Sequence, residues 1–183
     1  MLHRSFLLVV SHISHDTLGR YVVVEGSLNG RYLNLISAYV PPMLGSSTFT
    51  DLTGVLLALP PGITFLGNDF NHIVSADMDY LGASGAWPRQ VGGLGKWLEG
   101  LGLCDVWQLW DPTSRCYPYT SAAHRSHFRI DLILLPATDA PCTSVGRILP
   151  RGISDHAPVL VRVGSCRSGP RHMWRLNAWH LRD

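Results

Sequence analysis

Short apolar runs, each closed by Pro, Gly or an Asx residue, divide this chain into many brief strands and two helices. Phe6 to Val10 reads as a first strand. Tyr21 to Glu25 and Tyr32 to Val40 flank Asn29-Gly30, the pattern of a hairpin with a tight turn. Pro41-Pro42 ends the second of these. Ser46 to Thr50 supplies cap residues, and Leu52, Val55, Leu56 and Leu59 recur at helical spacing until Pro60-Pro61-Gly62 stops them. Ile63 to Leu66 is a buried strand running into Asp69-Phe70-Asn71. A polar, Gly-rich loop is expected over 77–89, a helix over 91–101, and a short extended piece over 104–109. Phe128 to Leu135, Ser144 to Leu149 and Ala157 to Val163 read as three further strands. Strands outnumber helices and pair partly as hairpins, which argues for a mixed α/β (α+β) domain and against a purely parallel sheet.

The chain has 183 residues and is 46% hydrophobic, enough for one domain with a substantial core. No apolar stretch reaches membrane-spanning length, and the apolar start is too short for a signal peptide, so an intracellular protein, cytoplasmic or nuclear, is expected without membrane contact. The four cysteines are widely spaced, which disfavours zinc and makes reduced thiols the default. A net charge of +2 does not by itself argue for nucleic acid. Its make-up says more: Lys96 is the single lysine, and Arg162, Arg167, Arg171, Arg175 and Arg182 crowd the C-terminal part. Arginine suits phosphate because its planar fork donates two parallel hydrogen bonds, whereas a solvated tail is the plain alternative. No dinucleotide or P-loop glycine motif is present, so no small-molecule cofactor is expected.

Three polar motifs sit at strand ends. Asp69 and Asn71 flank Phe70, so an extended backbone puts both on one side and Phe70 in the core; an Asx-turn is the simpler account. Asp131 stands in the apolar run 130–135, where a carboxylate needs a partner, and a histidine would fix its own tautomer against it. Ser154-Asp155-His156 precedes the last strand; the aspartate is a candidate for a hard cation and the histidine for a phosphate oxygen, with a capped turn as the plain account. Tyr39, at the end of a buried strand, is either core or a phosphate ligand. His12, His15, His124 and His127 lie in polar stretches and read as loop histidines, and most tryptophans as packing.

Ala38-Tyr39-Val40-Pro41, Leu66 to Asn71, Arg129 to Leu134 and Ser154-Asp155-His156, in this order, resemble the endonuclease/exonuclease/phosphatase superfamily. The nearest resemblance is to the apurinic-like endonuclease domain of non-LTR (LINE-type) retrotransposons, and Trp174-Arg175-Leu176-Asn177 resembles the segment that leads from it toward a reverse transcriptase. The resemblance implies a DNase I-like four-layer α/β/β/α sandwich. It implies Mg²⁺- or Mn²⁺-dependent hydrolysis of DNA phosphodiesters, leaving a nicked strand with a 3′-hydroxyl. Carried over, Asp69 prepares the attacking water, Asn71 and Tyr39 hold the phosphate, Asp155 helps hold the metal, and His156, oriented by Asp131, stabilises developing charge. Asn68 stands where the family carries Gly, Pro42 where it often has Asn, and Phe128 where a small hydroxyl residue is common. The family's first strands, with an Asn and a metal-binding Glu, have no counterpart in 1–20, so the domain over 1–164 is expected to be incomplete at its N-terminus and 165–183 to be a basic linker. Two functions follow: a DNA-nicking endonuclease, or a catalytically impaired remnant that at most binds nucleic acid weakly.

Overall fold

The computed structural model describes residues 8–43, 45–82 and 93–164. The expected linker over 165–183, with its arginines and Trp174 to Asn177, lies outside them, as do Phe6, Trp87 and Cys166. Three early strands are β1 (Leu8–His15), β2 (Tyr21–Leu28) and β3 (Arg31–Ala38). Asn29 and Gly30 both take positive φ, 52° and 76°, which is what a two-residue turn joining twisted strands requires. Helix α1 (Gly45–Ala58) returns the chain to β4 (Ile63–Asp69), which lies parallel to β3. Then follow α2 (Ala76–Asp79), β5 (Tyr80–Leu81), α3 (Gly93–Leu101), β6 (Leu103–Asp105) and α4 (Val106–Trp110). The chain closes with β7 (Tyr119–Ser121), β8 (Ser126–Phe128), β9 (Asp131–Pro136), β10 (Thr143–Ile148) and β11 (Val159–Val163).

A six-stranded sheet runs β1-β2-β3-β4-β9-β6, with a two-stranded ribbon β10-β11 and a three-stranded sheet β5-β8-β7 beside it. Alternation along the central strands divides the core in two. Leu66, Leu132 and Leu134 pack with Phe49, Leu52, Leu94 and Leu98 of α1 and α3. On the opposite face Phe65 and Leu135 meet Val106 of α4, with Val161 of the ribbon against them. This is the mixed α+β arrangement that the strand and helix pattern leads one to expect. Among the described residues no helix is long and apolar enough to cross a membrane.

Several expectations need correction. The apolar run 128–135 is not one strand: it breaks at Arg129-Ile130, where Arg129 N–H donates to the Asp79 carbonyl at 2.8 Å and the chain passes from the small sheet to the large one. Asp131 therefore opens a strand rather than standing in its middle. The piece 104–109 is extended only to Asp105, whose side chain accepts from the Trp107 N–H at 3.1 Å and starts α4. The loop begun at Asp77 contains α2 and β5. His12 and His15 lie exposed on β1, and His127 on β8, instead of in loops. Reduced thiols were expected throughout, but Cys142 is disulfide-bonded, while Cys104 and Cys116 are free. Cys142 closes the 3₁₀ turn Ala140–Cys142, and its carbonyl accepts from Gly164 N–H at 2.9 Å, so it stands beside the last described residue of the chain.

Leu134 is fully buried and stands opposite Leu66 in the β4-β9 ladder. Leu134→Ala should cost about 2–5 kcal/mol, read as a lower urea midpoint with an unchanged slope.

Candidate active site

β4 and β9 run antiparallel in a register that sets Asp69 opposite Asp131. Directly opposed side chains have Cβ atoms roughly 5 Å apart, so this pairing forces two carboxylates together at one edge of the core. Each is then given a partner. Asn71 N–H donates to Asp69 Oδ1 at 2.8 Å and Asn71 Nδ2 to Asp69 Oδ2 at 3.0 Å. His156 Nδ1 lies 2.8 Å from Asp131 Oδ2 and 3.0 Å from Oδ1. With an ionised Asp131 accepting, Nδ1 carries the proton and Nε2 is left for a second partner. Phe70, between Asp69 and Asn71, is fully buried, as the alternation predicts. The Asx-turn also forms, with Asn71 at φ 49°. Turn and site are one structure, because the turn is what holds the amide against the carboxylate.

Both carboxyls are pushed above the ordinary aspartate value of 3.8. For Asp69, burial is the main cause and Asp155 adds to it, while the Asn71 N–H, the imidazole and the Asn71 amide oppose it. For Asp131, burial again leads, the His156 hydrogen bond and charge oppose it, and Asp69 and Asp155 add repulsion. The native state therefore holds protons here that the unfolded chain has released. Stability from these groups falls as pH rises from 3.8 through the raised values.

Ser154, Asp155 and His156 are held by the small sheet. Thr120 N–H donates to the Asp155 carbonyl at 3.3 Å, Ala157 N–H to the Pro118 carbonyl at 2.8 Å, and Tyr119 forms a β-bridge with His156. The Tyr119 ring lies on the imidazole with centroids 4.6 Å apart, and Phe128 lies 6.0 Å from Tyr119. Sequence reading missed Tyr119; the signal was an aromatic in a polar Tyr-Pro-Tyr-Thr stretch whose other side had no evident core. Phe128, a departure from the family pattern, links Tyr119 to Tyr80, whose ring centroid is 5.0 Å away. Ser154 Oγ accepts from His156 N–H at 3.1 Å, so the expected capped turn is present too.

Tyr39 is 45% exposed and belongs to neither core cluster. Its neighbour Val40 N–H donates to the Asp69 carbonyl at 2.9 Å, so the Tyr39 backbone adjoins Asp69, although Tyr39 does not line the cavity beside it. The structure thus joins Asp69, Asn71, Asp131 and His156 in one network, with Asp155 acting on both carboxyls through charge. Beside the network opens a cavity of about 580 Å³, lined in part by Ser37, Asn68, Asp131, Ser154 and His156.

Few donors here are free for a divalent cation. Among the described residues no three His, Cys, Asp or Glu side chains gather to hold a metal. Asp69 and Asp131 are engaged by Asn71 and His156, which leaves Asp155, exposed and within 3.4 Å of Ser154 Oγ. This set fits a Mg²⁺ or Mn²⁺ ion shared between Asp155, water and substrate phosphate, the mode in which Mg²⁺ commonly binds. It does not fit a cation held by the protein alone.

No protein-family model matches the sequence. Solved structures do. A 3′ phosphatase from Neisseria, bound to a product DNA hairpin, superposes with a TM-score of 0.65 at 18% identity, over 85% of this chain and 72% of that one. The endonuclease domain of TRAS1, a telomere-specific non-LTR retrotransposon, gives 0.65 at 17% identity, over 85% and 68%. An AP endonuclease from Archaeoglobus fulgidus gives 0.64 at 15% identity, over 86% and 72%. At these identities the likeness establishes the fold alone, a DNase I-like α+β fold.

Asn68 has φ 116°, a backbone conformation rare for any residue with a side chain. Asn68→Gly should therefore raise stability by roughly 1 kcal/mol, seen as a higher Tm. Asp155→Asn should lower the titration midpoints of Asp69 and Asp131, followed by carboxyl carbon NMR, because it removes charge that now disfavours their ionisation.

Proposed function

We propose that this chain is a DNA phosphodiesterase of the nicking kind, cutting one strand to leave a 3′-hydroxyl. The observation that supports this best is the meeting of two pre-paired couples, Asp69 with Asn71 and Asp131 with His156, across a single register pair of β4 and β9. In-line attack on a phosphodiester needs a prepared water, donors for the phosphoryl oxygens and an outlet for charge. Asp69, half-buried with its proton affinity raised, is suited to orient water and take its proton. Asn71 is fixed near it, and its amide and the Tyr39 hydroxyl are assigned to the scissile phosphate. His156, held at Nδ1 by Asp131, stabilises the developing charge when both its nitrogens are protonated, donating from Nε2 to the phosphate oxygen that bears it. Water attacks phosphorus, the bond to the 3′ oxygen breaks, and that oxygen takes up a proton. A bound Mg²⁺ or Mn²⁺ would supply positive charge against the phosphoryl oxygens, with Asp155 as its protein ligand.

A second reading has its own support. Among the described site carboxylates Asp155 alone is left open, which favours a weak nucleic-acid binder without turnover. Domain limits of 1–164 and a basic linker over 165–183 belong to the same proposal.

Supercoiled plasmid nicking in Mg²⁺, against EDTA, separates the two. The chain should nick only with metal, and His156→Ala and Asp155→Ala should each slow it by about 10²-fold or more. Equal nicking by all three proteins defeats the enzyme reading. DNA binding without any nicking supports the second.

A further inference from the structure

We infer that Arg129 is a positioning residue for the Asp131–His156 pair, acting through a buried charge triad with Asp79 and Asp105. The inference rests on the proposed roles of Asp131 and His156. Arg129, Asp79 and Asp105 have side chains 3%, 0% and 3% exposed. Arg129 Nε and Nη2 donate to Asp79 Oδ1 at 2.8 and 2.5 Å, and Nη1 donates to Asp105 Oδ2. Asp79 Oδ2 accepts from the Val74 and Ser75 N–H groups at 2.9 and 2.8 Å. Phe70 N–H donates to the Ile130 carbonyl at 2.9 Å, beside the same corner. Arg129 thereby ties three things together: the segment after Asn71, the start of α4, and the corner between β8 and β9.

That corner has two arms. One is β9, whose first residue is Asp131. The other runs through β8 to Phe128, across the ladder to Tyr119, and by the β-bridge to His156. The arms meet again where His156 Nδ1 touches Asp131. The distance across that contact is therefore set by the angle at Arg129-Ile130. Stability is a poor reason to keep such a triad, since buried ion pairs are often replaced by apolar groups at little cost. Geometry is a better one. A guanidinium reaches two carboxylates from one rigid plane, and a lysine ammonium has no such fork.

The test uses the full chain with Arg129→Lys and Asp79→Asn. Two readings are taken: the downfield Nδ1–H proton resonance of His156, and kcat against KM in plasmid nicking. In a folded Arg129→Lys protein, shown by near-UV circular dichroism, the resonance should shift or vanish. The kcat should fall about 100-fold with KM nearly unchanged, as expected when bound groups are misplaced rather than lost. Asp79→Asn should move both readings in the same direction. A folded variant with the wild-type resonance and kcat overturns the inference. So does failure of both variants to fold, because the triad would then hold the fold and not the pair. Absence of turnover in the wild type would instead sink the nuclease reading, and the resonance would still decide the role of Arg129.

Discussion

The pairing of β4 with β9 is the constraint on which the rest depends. Antiparallel register sets Asp69 against Asp131 at the end of a ladder whose inner positions are Leu66 and Leu134. Two like charges at the margin of a core are unfavourable, and each needs neighbours that the ladder itself does not provide. The molecule supplies them from opposite directions. A left-handed Asn71 turns the chain back onto Asp69, and the small sheet carries His156 to Asp131. A slip of β9 by one residue against β4 would reverse its faces, pulling Leu134 out of the core as it separated the carboxylates. The apolar face thus guards the polar site.

Much of this was legible in the chain. Period and punctuation located α1, the Asn29-Gly30 hairpin and β4, because each is decided by neighbours in sequence. The site residues were legible because buried polar groups are scarce and their need for partners is strong. Asp131 called for a histidine and found His156. What could not be read is what distance in sequence conceals. Arg129 looked like part of a strand, yet it turns inward to Asp79 and Asp105, which no local pattern connects to it. Tyr119 gave no sign of stacking on an imidazole far along the chain. Nor did the wide cysteine spacing betray the disulfide at Cys142.

The departures from the family pattern differ in weight. Asn68 stands where glycine is usual and adopts a backbone conformation suited to glycine, while its side chain reaches Ser37 Oγ at 3.3 Å. The motif's glycine therefore answers a backbone demand that this chain meets at some cost. Phe128 replaces a small residue and builds a run of rings from Tyr80 through Tyr119 to His156. The imidazole thus rests against an aromatic surface.

The order in which the chain emerges during synthesis adds one more consequence. β4 is made long before β9, although they lie side by side in the sheet. Closing so long a loop is slow and entropically costly, so this pairing comes late in folding. A growing polypeptide on the ribosome accordingly carries Asp69 without its β9 partner, and the imidazole arrives only after β9. Any reactivity of the finished site is withheld from the nascent chain by topology, without a separate inhibitor.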